Sequence, residues 1–258
     1  GPLILTVNAG QMLFILGANG TGKSSLMQAF ASVNHEKIRK ITAHRQTWLR
    51  SGSPEFTGTQ RAGYERNISN YDRQITSRWM EEHAEQRAQI AIYDLINLEY
   101  MRALEITRAI DANDANKVSK LSVKEGVFAT LNRILRLANL EIVVSVETND
   151  QITATRNGSK PYSIAKLSDG ERNAILLAAN VLTVPEGTLL LIDEPERHLH
   201  RSIVSPLLSL LLKERADCVF IVSTHEPLLP VDNPGSIVLL TRACVYEGDS
   251  VASYDIDL

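Results

Sequence analysis

The chain is poor in cysteine, in long apolar runs and in charge of one sign. Its 258 residues include two cysteines, Cys218 and Cys244, too few for a disulfide framework. Both stand beside apolar residues, so buried thiols in a reducing, cytoplasmic setting are expected. No apolar stretch reaches the length of a membrane span, and the strongest run, Leu189-Leu190-Leu191-Ile192, stops at Asp193. No signal peptide precedes the first expected strand. Lys and Arg number 27 against 30 Asp and Glu, a formal net charge of −3 that exerts no global pull toward nucleic acid or an anionic membrane. Neither Gly nor Pro occurs between Tyr64 and Glu125. There is no internal repeat and no low-complexity tract.

A hydrophobic fraction of 44% with 22% charged residues describes a globular chain. Its length suits one large α/β domain, or one domain with an insertion. Strands are expected at 3–7 and 12–16, joined by a turn at Asn8-Ala9-Gly10, then a helix at 23–32 and a strand at 38–43. After the loop Ser51-Gly52-Ser53-Pro54, the residues Trp79, Met80, Ile90, Tyr93, Leu98, Met101 and Leu104 recur at helical spacing. They predict an antiparallel helix pair turning near Asp111-Ala112-Asn113-Asp114, with ordinary helix packing for these side chains. The mixed charges of 61–108 suggest a solvated, salt-laced surface rather than a basic stripe. A helix at 126–137, strands at 140–147 and 151–156, and a helix at 168–182 follow. The apolar runs at 188–192, 218–223 and 236–240 suit strands buried on both faces of a parallel sheet. Between them Leu199, Ile203, Leu207 and Leu211 mark one helical face. This alternation predicts a doubly wound α/β core. Residues 240–258 read as an end-of-domain hairpin after which another domain could follow. Gly1-Pro2 resembles a protease-cleavage scar, and an excised domain is expected.

Gly17-Ala18-Asn19-Gly20-Thr21-Gly22-Lys23-Ser24 fits G-x-x-x-x-G-K-[ST] between an expected strand and helix, the context of a phosphate-binding loop. Its glycines let backbone N–H groups face phosphates, and the following helix aims its positive end at the same point. Lys23 would contact the β and γ phosphates of ATP, and Ser24, followed by Ser25, would ligate Mg²⁺ through its hydroxyl. Asp193 ends an apolar core strand, where ligands bind in α/β sheets. It would hold Mg²⁺ through its water shell, and Glu194 would accept a proton from the attacking water. The bland alternative for this pair is a helix cap or turn acid.

Leu167-Ser168-Asp169-Gly170-Glu171 opens a helix, with Ser168 and Glu171 forming a capping box. Leu-Ser-x-Gly-[Gln/Glu] ahead of the acidic strand is also the hallmark of ABC ATPases. With the phosphate loop and acidic pair, the chain resembles an ABC-type ATPase of the RecF, SMC and OLD branch. The resemblance covers roughly 3–50 and 140–245. It implies a P-loop NTPase fold of ABC-ATPase type: an α/β domain over 1–258 with a mostly parallel sheet flanked by helices, an antiparallel β portion, and a helical insertion at 51–138 between core parts 1–50 and 139–258. It further implies that Ser168 and Gly170 bind the γ-phosphate held by a second copy in an ATP-dependent head-to-tail dimer. Asp169 departs from the usual glycine, and a carboxylate there repels phosphate unless turned aside. His225, in Ser223-Thr224-His225-Glu226, resembles the family's switch histidine. Gln46 is the candidate Mg²⁺-sensing glutamine, although it follows Lys23 sooner than the family pattern. Arg197, His198, Leu199 and His200 stand at the D-loop, which contacts the opposite subunit. Histidines two apart on a helix do not share a face, which argues against zinc.

The run Glu194-Pro195-Glu196-Arg197-His198-Leu199-His200 resembles OLD-like and related phage-defence ATPases such as those of Septu and PARIS systems. This implies an effector partner, a nuclease or TOPRIM-type domain or subunit; no nuclease motif stands in this chain outside the nucleotide site. A DNA-repair or SMC-like clamp is the alternative. Its basic path would use Lys37, Arg39, Lys40, Arg45 and Arg50, for which a solvated face is the plainer reading. A transporter ATPase is the third reading, against which the D-loop and the insertion argue.

Overall fold

A computed structural model describes residues 4–33, 37–42, 49, 51–248 and 250–258. Its centre is a six-stranded sheet in the order β2-β6-β7-β1-β8-β9. The strands are β1 (Met12–Leu16), β2 (Ile38–Thr42), β6 (Leu189–Asp193), β7 (Val219–Thr224), β8 (Ile237–Glu247) and β9 (Ser250–Asp257). The first five in that order run parallel, and β9 folds back antiparallel on β8. A second, antiparallel sheet joins β3 (Val143–Val146), β4 (Ile152–Thr155) and β5 (Tyr162–Ser163). This is the α/β, mostly parallel architecture with an antiparallel portion that the motifs imply.

The apolar runs are buried on both faces because successive side chains of a strand point to opposite sides. Met12, Phe14, Leu190, Ile192, Phe220 and Val222 enter the larger core. Leu13, Ile15, Leu189, Leu191 and Ile221 enter the smaller core on the other face. Helix α1 (Lys23–Ala31) covers the smaller core with Met27 and Ala31. Helices α5 (Val127–Leu137), α6 (Asp169–Thr183) and α7 (Arg201–Glu214) pack on the larger one. Residues 4–8 form no strand. Both edges of β1 are already taken by β7 and β8, and the segment packs Leu5 and Val7 on the smaller core.

Between β2 and β3 lie α2 (Gly58–Asp72), a 3-10 turn (Ile75–Arg78), α3 (Ala84–Asp111) and α4 (Ala115–Val123), with α5 closing the segment. Helix α3 turns into α4 at 112–114, as the sequence suggests. The packing expectation for the apolar residues here needs correction. Ile90 is buried, but Trp79, Met80, Leu98, Met101 and Leu104 are exposed. At 28 residues α3 is about 42 Å long, and after Ile96 its only buried residue is Ala109. Its second half outruns the core, packing on α4 while Glu99 accepts from the Phe128 N–H (3.4 Å) and the Tyr100 hydroxyl donates to Asp150 (2.6 Å).

The expected solvated face is also partly wrong, because several charges turn inward and fasten the segment to the sheet. Arg87 donates to both carboxylate oxygens of Asp72, to Glu81 (3.2 Å) and to the Lys40 carbonyl (3.2 Å). Arg39 is half-buried against Glu65 (2.8 Å) and Asp94 (3.8 Å). Burial lowers its guanidinium pKa, and the two carboxylates work the other way. Lys40 is buried and donates to the Ser77 carbonyl at 3.1 Å. Two of the five residues proposed for a basic DNA path therefore point into the protein. Lys37 is exposed and donates to the Glu186 carbonyl. Arg45 and Arg50 lie outside the described residues. Among the described residues no helix is long and apolar enough to cross a membrane.

Candidate functional site

The phosphate-loop residues connect the end of β1 to α1. Gly22 forms the N-cap of α1 with φ 92°, a left-handed conformation that glycine adopts without strain. No side chain caps α1, so its positive end is presented to the loop. Gly17 leaves room for β8: a Cβ there would come within 2.1 Å of the Thr241 hydroxyl oxygen. That hydroxyl lies 2.9 Å from the Thr21 hydroxyl, and the Gly17 N–H donates to the Thr224 carbonyl at 3.2 Å. The loop is thus pinned from β7 and β8 at once. Lys23 is buried and donates to the carbonyls of Gly17 (2.8 Å) and Ala18 (3.0 Å).

Strand β6 delivers Asp193 and Glu194 to the same end of the sheet. The Ser223 hydroxyl donates to Asp193 Oδ1. Glu194 holds φ 45° and ψ 58°, left-handed for a residue with a side chain. Such a conformation costs on the order of 1–3 kcal/mol and persists where surroundings enforce it. Here its N–H donates to the Ser223 carbonyl and hydroxyl, both at 3.1 Å. The carboxylate so aimed lies 3.7 Å from Lys23 Nζ, 3.9 Å from His225 Nδ1 and 3.6 Å from Arg197 Nε. One cleft is lined by Asn19, Gly20, Gly22, Lys23, Ser24, Ser25 and Glu194.

Glu196 is the residue that sequence reasoning missed. It is read there only as part of the D-loop run, yet its side chain is buried and fixes the histidine. Its Oε1 accepts from the Thr224 hydroxyl (2.6 Å) and the His225 N–H (2.9 Å), and lies 3.1 Å from His225 Nδ1. A second acid two residues after Glu194, across a proline, was the available signal.

Ser168 caps α6, and the capping box is complete: Glu171 N–H donates to Ser168 Oγ (3.3 Å) and Ser168 N–H to Glu171 Oε2 (3.0 Å). Asp169 is exposed and paired with Arg172. Gly170 packs on the backbone of the Glu194–His200 run, where a Cβ would meet the His198 carbonyl at 3.1 Å. Among the described residues, 168–171 make no hydrogen bond or ion pair with residues 17–24 of the same chain; Glu171 instead pairs with Arg156. Of the residues expected to form a D-loop, Arg197 is exposed and Leu199 buried, while His200 caps α7 by accepting from Ser202 N–H at 3.2 Å. Gln46 lies outside the described residues. Cys218 is buried, and burial pushes its thiol pKa up. Cys244 is only half-buried, with Sγ 3.6 Å from the Gly20 carbonyl, so the expectation of two buried thiols holds for one.

Residues 39–232 match the family described as "AAA domain, putative AbiEii toxin, Type IV TA system". The vitamin B12 import ATP-binding protein BtuD of Vibrio cholerae is 25% identical over 255 residues, covering 96% of this chain and 82% of that protein. The SMC head domain from Thermotoga maritima is 18% identical, with 98% of this chain and 91% of that chain covered and a TM-score of 0.46. An SmcHead bound to the C-winged helix domain of ScpA is 15% identical, with coverage of 97% and 91% and a TM-score of 0.48. The family match spans most of the chain, and the chain belongs to that family, as an ABC-type P-loop ATPase domain.

Proposed function

We propose that the chain binds and hydrolyses Mg-ATP in the cytoplasm, that two copies close head to tail over the nucleotide, and that this cycle controls a nuclease or TOPRIM-type effector in antiphage defence. The observation that carries the reading is the convergence in one cleft of the glycine-rich loop, Lys23 and a left-handed Glu194. The similarity to an import ATP-binding protein over 96% of the chain supports the ATP-binding part. The run from Glu194 to His200 supports the effector part.

In this reading, backbone N–H groups of 17–24 and the positive end of α1 bind the phosphates. Lys23 exchanges the Gly17 and Ala18 carbonyls for phosphate oxygens. A hydroxyl and a carboxylate are the hard oxygen donors that Mg²⁺ takes, and Ser24 and Asp193 would hold the ion, which would supply positive charge to offset that of the phosphates. Glu194 accepts a proton from the attacking water. His225, fixed by Glu196, and Lys23 stabilise charge developing on the transferred group. Ser168 and Gly170 of the second copy close the site with the N-terminus of α6. The pairing of Asp169 with Arg172 offsets the carboxylate that would otherwise oppose closure.

Glu194→Gln tests the reading: it should bind ATP and hold the closed dimer without releasing phosphate. Rapid phosphate release by that variant would refute the role. The importer similarity favours a second reading, an ATPase subunit of a transporter. Co-purification with a membrane subunit would establish it.

A further inference from the structure

The cleft that holds the phosphate loop does not end at Ser25. It continues to Arg78 and Trp79, at the end of the 3-10 turn between α2 and α3, and to Tyr246 and Gly248 at the tip of the β8–β9 hairpin. Trp79 is 63% exposed and Tyr246 53% exposed. Two large rings from elements far apart in sequence thus stand toward solvent within one cleft, next to a loop suited to phosphates.

Both walls are anchored through polar contacts to the phosphate-loop helix or the sheet. Gln28 of α1 is buried, donates to the Arg73 carbonyl at 2.7 Å and accepts from Arg78 Nη2 at 2.9 Å. Lys40 of β2 donates to the Ser77 carbonyl at 3.1 Å. The turn that ends in Trp79 is therefore fixed from α1 and β2 together. On the other side the Tyr246 hydroxyl lies 3.4 Å from the Ser25 hydroxyl. Cys244 and Tyr254, paired across the hairpin, approach Gly22 so closely that a Cβ there would lie 3.0 Å from either. The spacing from phosphate loop to rings is thus set by α1 itself.

We propose that Trp79 and Tyr246 form the base-binding walls of the nucleotide site, receiving the nucleobase of a nucleoside triphosphate whose phosphates lie on residues 17–24. The inference rests on the phosphate-loop reading and deepens it. Aromatic rings stack on the π-face of any base, so the walls add affinity with little discrimination between adenine and guanine. The inserted segment thereby touches the ligand directly, and Trp79 links nucleotide occupancy to the helices that Arg87 fastens to β2.

The sequence contains two tryptophans, so Trp48→Phe leaves Trp79 as the sole reporter. In that variant ATP and GTP should quench the fluorescence, and inorganic tripolyphosphate should not. By calorimetry, Trp79→Ala and Tyr246→Ala should each weaken ATP and GTP by about tenfold or more while leaving tripolyphosphate affinity unchanged, and Trp79→Phe should restore most of the loss. Tripolyphosphate binding with unaltered ATP affinity in both alanine variants overturns the base site but leaves the phosphate loop standing. Failure of the unaltered chain to bind either ligand overturns both. Fluorescence unmoved at ATP saturation overturns the base site without any variant at Trp79. An affinity loss confined to concentrations at which the chain dimerises would place Trp79 at a subunit contact and also overturn it.

Discussion

Oε1 of Glu194 lies 3.7 Å from Nζ of Lys23, across a backbone turn that leaves Glu194 left-handed. The carboxylate after the buried strand and the lysine opening α1 thus meet although 171 positions separate them. Strand β6 and the loop after β1 end on the same side of the sheet, and the Glu194 conformation turns its side chain into the cleft.

If Glu194 takes the proton from water, Glu194→Gln should lower the steady-state hydrolysis rate by about a hundredfold or more, the scale of a lost general base. ATP affinity should stay within a few fold. Phosphate release and calorimetry on the same preparation check both halves.

Lys23→Ala should remove measurable ATP binding while leaving the fold intact. Its ammonium now satisfies two loop carbonyls, so the melting temperature should fall only slightly. Calorimetry with ATP and a thermal melt separate the two effects.

Glu196 should act through His225. Glu196→Gln loses the charge facing the imidazole while keeping a similar shape, and should lower kcat by about tenfold with little change in KM, as expected when an interaction matters mainly in the transition state. Combined with His225→Ala, it should add little further loss, because coupled residues are not additive. Full additivity would show that Glu196 acts elsewhere.

Arg215 holds the Asp217 carboxyl well below the ordinary carboxylate range while also donating to the carbonyls of Val181 and Val184. A carboxyl lowered in the folded state stabilises the fold above its unfolded value, and that stability is lost as pH falls through the folded value. Melts from neutral to strongly acidic pH should show this loss, and Asp217→Asn should flatten the acid limb.

The sequence exposes most of the core because chemistry and periodicity agree there. The phosphate loop, the apolar run ending in Asp193 and the capped start of α6 are local signals. Helical spacing over residues 58–123 finds the helices but not what covers them. Leu98, Met101 and Leu104 repeat like core residues, yet they lie on the half of α3 that extends past the sheet. Arg39, Lys40 and Arg87 look like surface charges until β2 and α3 bring them to carboxylates and carbonyls distant in sequence. Glu196 reads as one more acid of a charged run because its partners, Thr224 and His225, stand at the end of a different strand.

The central claim is that each copy completes the other's nucleotide site. Light scattering on Glu194→Gln with saturating Mg-ATP tests it most directly. The mass should double with ATP, and adding Ser168→Arg should return it to that of one chain without abolishing nucleotide binding. A single-chain mass at ATP saturation, or a dimer indifferent to Ser168→Arg, would contradict the account.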